Sequence, residues 1–218
     1  MPAELHHIQT TRTARYYSLG SFEGEIRELW FVLHGYGQRA EDFLKNFAPL
    51  ATEGILIIAP EALSRFYTRG FAGDVGASWM TREDRASEIQ DYVRYLENLY
   101  TEVTLRLKKM PERIVAFGFS QGCPAVLRWQ AAGTSPVTEI VIWAGDVPRD
   151  LAFSKFRTST EKARKWLIHS RTDEFISPEI YRESEDLFLS NGIQFHTMDF
   201  EGGHKIPEIA LKELRSKF

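Results

Sequence analysis

Gly118-Phe119-Ser120-Gln121-Gly122 sets a serine between two glycines, each two residues away. A hydroxyl on a very tight strand-to-helix turn stands clear of its own backbone, and the residues two positions away must be small to avoid collision. The surroundings suit such a turn: Arg113–Phe117 reads as a buried strand and Gln121–Ala132 as a helix. A serine hydroxyl is a poor nucleophile until a base takes its proton. Of the six histidines, His6 and His7 lie near the chain end, His169 and His196 fall in expected strands, and His34 sits where it would buttress a loop. His204 differs, because Glu201-Gly202-Gly203-His204-Lys205-Ile206-Pro207 reads as a loop between the last strand and the last helix. His204 is the expected base. A carboxylate must fix its tautomer and stabilise the imidazolium. Asp173, in Ser170–Pro178, is favoured; Asp146 is the main rival and Glu174 a weaker one.

A tetrahedral oxyanion needs amides aimed at it. His34-Gly35-Tyr36-Gly37 follows a strong strand, and its glycines let backbone approach a substrate oxygen closely. The amides of Tyr36 and Gln121 are the expected donors. Together these groups would carry two-step acyl transfer through an acyl-enzyme.

The positioning elements are legible as apolar runs. Leu29–His34, Ile55–Ala59, Arg113–Gly118 and Glu139–Ala144 read as buried parallel strands, Lys165–His169 as a fifth, and the more alternating Gln194–Phe200 as an edge or near-edge strand. Tyr16–Leu19 reads as part of an N-terminal antiparallel hairpin. Helical spacing occupies Asp84 to about Leu107, with Ala40–Leu50, Gln121–Ala132, Pro178–Asn191 and Pro207–Lys217 as further helices. Residues 155–162 and Ser64–Ser78 read as surface loops. Alternation of this kind implies an α/β fold with a mostly parallel central sheet flanked by helices. The order Ser120, Asp173, His204 is that of α/β-hydrolases, so the expectation is a single α/β-hydrolase domain over 1–218, a length that suits one core.

Composition removes other classes. A net charge of -3, with Lys and Arg scattered, gives no reason to expect nucleic acid as a partner. The lone Cys123 allows neither an internal disulfide nor a cysteine-based metal site. No apolar run has bilayer-spanning length and no leader pattern opens the chain, so the default expectation is a cytoplasmic protein without integral membrane association.

In order and spacing, the chain resembles the phospholipase/carboxylesterase family of α/β-hydrolases, which includes acyl-protein thioesterases. The landmarks are His34-Gly35-Tyr36-Gly37, Ile58-Ala59-Pro60-Glu61-Ala62, Ser78-Trp79-Met80, Gly118-Phe119-Ser120-Gln121-Gly122, the Asp173 loop ending in Pro178, and Gly202-Gly203-His204. The resemblance implies hydrolysis of small ester or acyl substrates without metal or cofactor. It also implies that Trp79 lies near the acyl pocket, supports Tyr36 and Gln121 as oxyanion donors, and leaves a homodimer open. Cys123-Pro124 after the glycine, and His169-Ser170-Arg171-Thr172 before Asp173, depart from the family pattern. A lactone hydrolase, a peptidase or a non-catalytic binding protein on the same scaffold are the competing expectations.

Overall fold

A computed structural model describes residues 2–218. Seven strands form one sheet in the order β1-β3-β2-β6-β7-β8-β9. They are β1 (Tyr16–Leu19), β2 (Glu28–Leu33), β3 (Ile55–Pro60), β6 (Arg113–Phe119), β7 (Glu139–Trp143), β8 (Arg164–Ser170) and β9 (His196–Phe200). Every pairing is parallel except that of β1 with β3. A two-stranded hairpin, β4 (Ser64–Tyr67) and β5 (Val75–Ser78), stands apart. The helices are α1 (Ala40–Leu44), α2 (Arg85–Leu105), α3 (Gly122–Ala132), α4 (Phe153–Ser159), α5 (Pro178–Ser190) and α6 (Glu208–Ser216). This is the α/β-hydrolase arrangement, a mostly parallel sheet flanked by helices.

The strands read as continuous apolar runs because both faces of the sheet are covered. Alternate side chains go to opposite sides. Leu29, Phe31, Leu33, Ile114, Ala116, Ile140 and Ile142 join Leu96, Val126, Trp129 and Phe188 in one core under α2, α3 and α5. Trp30, Val32, Val115, Phe117, Val141 and Trp143 join Phe43, Phe47, Leu211 and Leu214 in another under α1 and α6. The centre of the second core is aromatic: Phe117 meets Phe47 edge-on at 5.1 Å and Trp143 at 5.6 Å.

Register puts the functional loops side by side. Leu33 of β2 lies beside Gly118, Phe119 beside Trp143, Trp143 beside Ile168 and Ser170 beside Phe200. The loops that follow these strands therefore leave from one sheet edge, where ligands meet open α/β sheets. Edge strand β9 carries the expected alternation, with Met198 and Phe200 buried and Thr197 and Asp199 exposed.

Four expectations need correction. β1 is antiparallel, but its partner is β3 rather than a neighbouring hairpin strand. Ser64–Ser78 contains the β4–β5 hairpin, closed by Thr68 N–H donating to Asp74 O at 2.9 Å. Residues 155–162, read as loop, are helical as far as Ser159, because Phe156 is fully buried and stacks on Phe188 at 5.9 Å. Tertiary burial outweighs a polar local pattern there. The helix expected over Ala40–Leu50 is α-helical only to Leu44 and continues as a 3₁₀ turn, Lys45–Leu50. Pro49 offers no N–H and disfavours the α conformation of the residue before it.

Truncating Phe117 to Ala should destabilise the protein by about 3–5 kcal/mol, since rigid aromatic neighbours cannot collapse into the void. Urea denaturation of the variant against the wild type measures it.

Candidate active site

Ser120 follows the last residue of β6 and precedes α3, with φ +52. This is the left-handed region, which costs a non-glycine residue roughly 1–2 kcal/mol. Ser120 N–H donates to Trp143 O at 3.0 Å, and Cys123 N–H donates to Ser120 O at 2.9 Å. The flanking glycines answer to different neighbours. A Cβ on Gly118 would lie 2.7 Å from Cys123 Cα, and one on Gly122 would meet the backbone of Leu33 and lie 2.9 Å from His34 O. The turn is thus packed against the strand that leads into the Gly35–Gly37 loop.

In that loop the amides beside Tyr36 are occupied. Gly35 N–H donates to Gln38 Oε1 at 2.7 Å and Gly37 N–H to Ala77 O at 2.9 Å. Among the described residues, neither Tyr36 N–H nor Gln121 N–H has a hydrogen-bond partner. A Cβ built on Gly35 would lie 3.1 Å from Ser120 Cβ, so the loop runs directly beside the serine. The Gln121 side chain ties the turn to the end of β5: Oε1 accepts from Trp79 N–H at 3.1 Å, and Nε2 donates to Met80 O at 2.9 Å and Ser78 Oγ at 3.1 Å.

His34 is fully buried behind the loop. Ala62 N–H donates to its Nε2 at 3.1 Å, which leaves Nδ1 to carry the proton and donate to Gly35 O at 2.8 Å. Burial pulls its pKa below the ordinary value and outweighs the opposing pull of the Gly35 carbonyl and Glu61. A neutral imidazole with both nitrogens engaged is a buttress, and it has no free lone pair for catalysis. Trp79 is 2% exposed, donates Nε1–H to His34 O at 2.8 Å and packs between His34 and Tyr92. It also borders a cleft of about 470 Å³ beside Leu63, Glu88 and Tyr95.

His204 Nδ1 lies 2.9 and 3.1 Å from the two carboxylate oxygens of Asp173, whose side chain is wholly buried. Asp173 Oδ1 also accepts from Phe175 N–H at 2.8 Å and Ile176 N–H at 2.9 Å. With Nδ1–H held by the carboxylate, Nε2 is the free base. The imidazole packs against Phe119 at 4.8 Å and the edge of Phe175 at 4.9 Å. Phe119 is the residue before the serine, yet no hydrogen bond joins His204 to Ser120 Oγ in this structure. Catalytic hydrogen bonds of this kind are often loose before substrate binds. Asp146 is exposed and has no side-chain hydrogen bond among the described residues.

Sequence reasoning misses Thr172 and takes Glu174 only as a rival acid. Thr172 Oγ1 accepts from Gly203 N–H at 3.2 Å, and Glu174 Oε2 accepts from His204 N–H at 3.1 Å. Their signal was three consecutive acceptor side chains, Thr-Asp-Glu, opposite a Gly-Gly-His whose amides no strand occupies. Cys123 is buried, with Sγ 3.1 Å from Gly118 O; desolvation first, and Asp146 second, push its thiol pKa well up, so it is an inert packing residue. Among the described residues no group of three His, Cys, Asp or Glu is arranged to hold a metal ion, and no helix is long and apolar enough to cross a membrane.

The sequence profile of the phospholipase/carboxylesterase family matches residues 23–217. No curated protein sequence matches. Among solved structures, Zea mays acyl-protein thioesterase 2 is 18% identical and superposes with a TM-score of 0.70, covering 94% of this chain and 97% of its own. The Mesorhizobium loti carboxylesterase is 17% identical with a TM-score of 0.73, covering 93% and 94%. A Bacillus cereus carboxylesterase is 14% identical with a TM-score of 0.65, covering 94% and 95%. At these identities the likeness is one of fold.

The state of His34 makes stability depend on pH. Its folded pKa lies below the unfolded value of 6.5, so below that pH the unfolded chain binds a proton that the native one refuses. Stability should fall as pH drops through about 6. The dependence should be shallower in His34→Asn, as read by denaturant midpoints across the range.

Proposed function

The chain belongs to the phospholipase/carboxylesterase family of α/β-hydrolases, and we propose that it cleaves carboxylic esters or thioesters through a Ser120-His204-Asp173 triad. The observation that carries the reading is the hydrogen bonding of His204 Nδ1 to the buried carboxylate of Asp173, which leaves Nε2 free beside the turn that presents Ser120.

In the first step Nε2 of His204 takes the Ser120 proton as Oγ attacks the substrate carbonyl. The negative oxygen of the tetrahedral intermediate rests on Tyr36 N–H and Gln121 N–H, neither of which has an internal partner among the described residues. Each such donor typically contributes a few kcal/mol to the transition state. Asp173 holds the imidazolium that forms. His204 then returns the proton to the departing alcohol or thiol, and Ser120 keeps the acyl group. Water attacks next, His204 accepts its proton, and the carboxylic acid leaves as Ser120 recovers its own.

The rim favours apolar acyl or aryl groups. Tyr36, 62% exposed, stacks on Phe66 at 5.2 Å on one side of the site, and Phe175, 67% exposed, stands beside His204 on the other. Trp79 shapes the pocket by fixing the backbone of His34 through its indole N–H and the side chain of Gln121 through its backbone N–H. The substrate is a small ester or acyl compound.

A panel of p-nitrophenyl esters of increasing acyl length tests this. Ser120→Ala should lose about a thousandfold or more in kcat, and Asp173→Asn should lose a comparable factor by leaving the imidazole in the wrong tautomer. Equal rates in wild type and Ser120→Ala would refute the assignment.

A further inference from the structure

Three consecutive residues of the β8–α5 loop grip the His204 loop at three different atoms. Thr172 Oγ1 holds Gly203 N–H, Asp173 holds His204 Nδ1, and Glu174 Oε2 holds His204 N–H. Asp173 is the expected acid. Glu174 is not needed for that role, it is exposed, and the bond to His204 N–H is the only hydrogen bond its side chain makes among the described residues. A solvated carboxylate loses rotamer freedom when it is held on a backbone amide, so the arrangement calls for a compensating role.

Resting on the triad reading above, we infer that Glu174 is a positioning residue for the base: it anchors the His204 backbone while Asp173 orients the ring. The need for such an anchor follows from the loop. Gly202 and Gly203 both have positive φ, +129 and +24, and neither carries a side chain that could pack the segment down. A ring held only through Nδ1 can still swing about that bond as its backbone shifts. Fixing N–H and Nδ1 from adjacent residues of one loop removes that freedom and holds the ring against Phe119, next to Ser120. A displacement of about 1 Å at such a contact is enough to lower a rate substantially.

Glu174 also brings negative charge close to the imidazole. The charged side chains bonded to His204 are Asp173 and Glu174 alone among the described residues, and the Lys205 side chain lies over Gly202. An imidazolium forming in the transition state is favoured by both carboxylates.

Glu174→Ala and Glu174→Gln separate the two contributions. Gln keeps an oxygen acceptor for His204 N–H and loses the charge. Glu174→Ala should lower kcat about tenfold with KM changed less than about twofold. Glu174→Gln should recover most of kcat at neutral pH, while the acid limb of its kcat/KM profile moves to lower pH. Fluorophosphonate labelling of Ser120, followed by intact mass, should slow in Glu174→Ala in the same proportion as kcat. Melting temperatures check that each variant is folded. Wild-type kcat and labelling rate in Glu174→Ala would overturn the inference, as would a Glu174→Gln as slow as the Ala variant. A wild type that does not label at Ser120 would overturn the triad reading itself, which is a distinguishable failure.

Discussion

The molecule is organised around the left-handed backbone of one residue. Ser120 cannot hold φ +52 unless its neighbours over-determine it. They do so from three sides. Gly118 leaves room for the returning helix, and Gly122 leaves room for the end of β2. On the third side Gly145 follows β7, and a Cβ there would lie 2.7 Å from both Ser120 O and Cys123 Cβ. The residue before it, Ala144, is itself left-handed at φ +48. Strand ends on either side of β6 are thus shaped by the turn between them, and the Gly35–Gly37 loop stands beside the hydroxyl as a result.

Irregular backbone near a buried site must still satisfy its polar groups. Individual side chains do that here at each junction. His34 joins the end of β2 to the segment after β3 through Ala62 N–H. Gln121 joins the Ser120 turn to the end of β5. Glu61, buried after β3, takes Arg15 at 2.6 Å and Ala40 N–H at 3.3 Å, which fixes where α1 begins. Thr172 and Glu174 join the last two loops. The amides of Tyr36 and Gln121 are left without an internal partner among the described residues.

Much of this was legible in the sequence for specific reasons. The central strands stand out because burial on both faces makes them uninterrupted apolar runs, and α5 because Pro178 and Gly192 mark its ends. Ser120, Asp173 and His204 stand out because each follows a strand and precedes a helix. The hairpin at 64–78 was hidden because its glycines and arginines resemble loop composition, while its pairing depends on Gly76 packing against the backbone of Gly37. The partner of β1 was hidden because strand pairing across a long separation leaves no local trace. Glu174 was hidden because its role is a bond to backbone, and the identity of a backbone amide is not written in any residue type.

β9 has a consequence of a different kind. It is one of the two edge strands, hydrogen-bonded on one side only, and it carries the loop that ends in His204. Ser120, by contrast, hangs from the centre of the sheet, between β2 and β7. Edge elements open at lower free energy than central ones, in local events that leave the rest of the molecule folded. Ser120 and His204 therefore belong to parts of the protein with different intrinsic lifetimes. Under the proposed triad, fraying of one border strand would be sufficient to disarm the serine, and such a molecule would still be counted as native by any probe that reports only on the core.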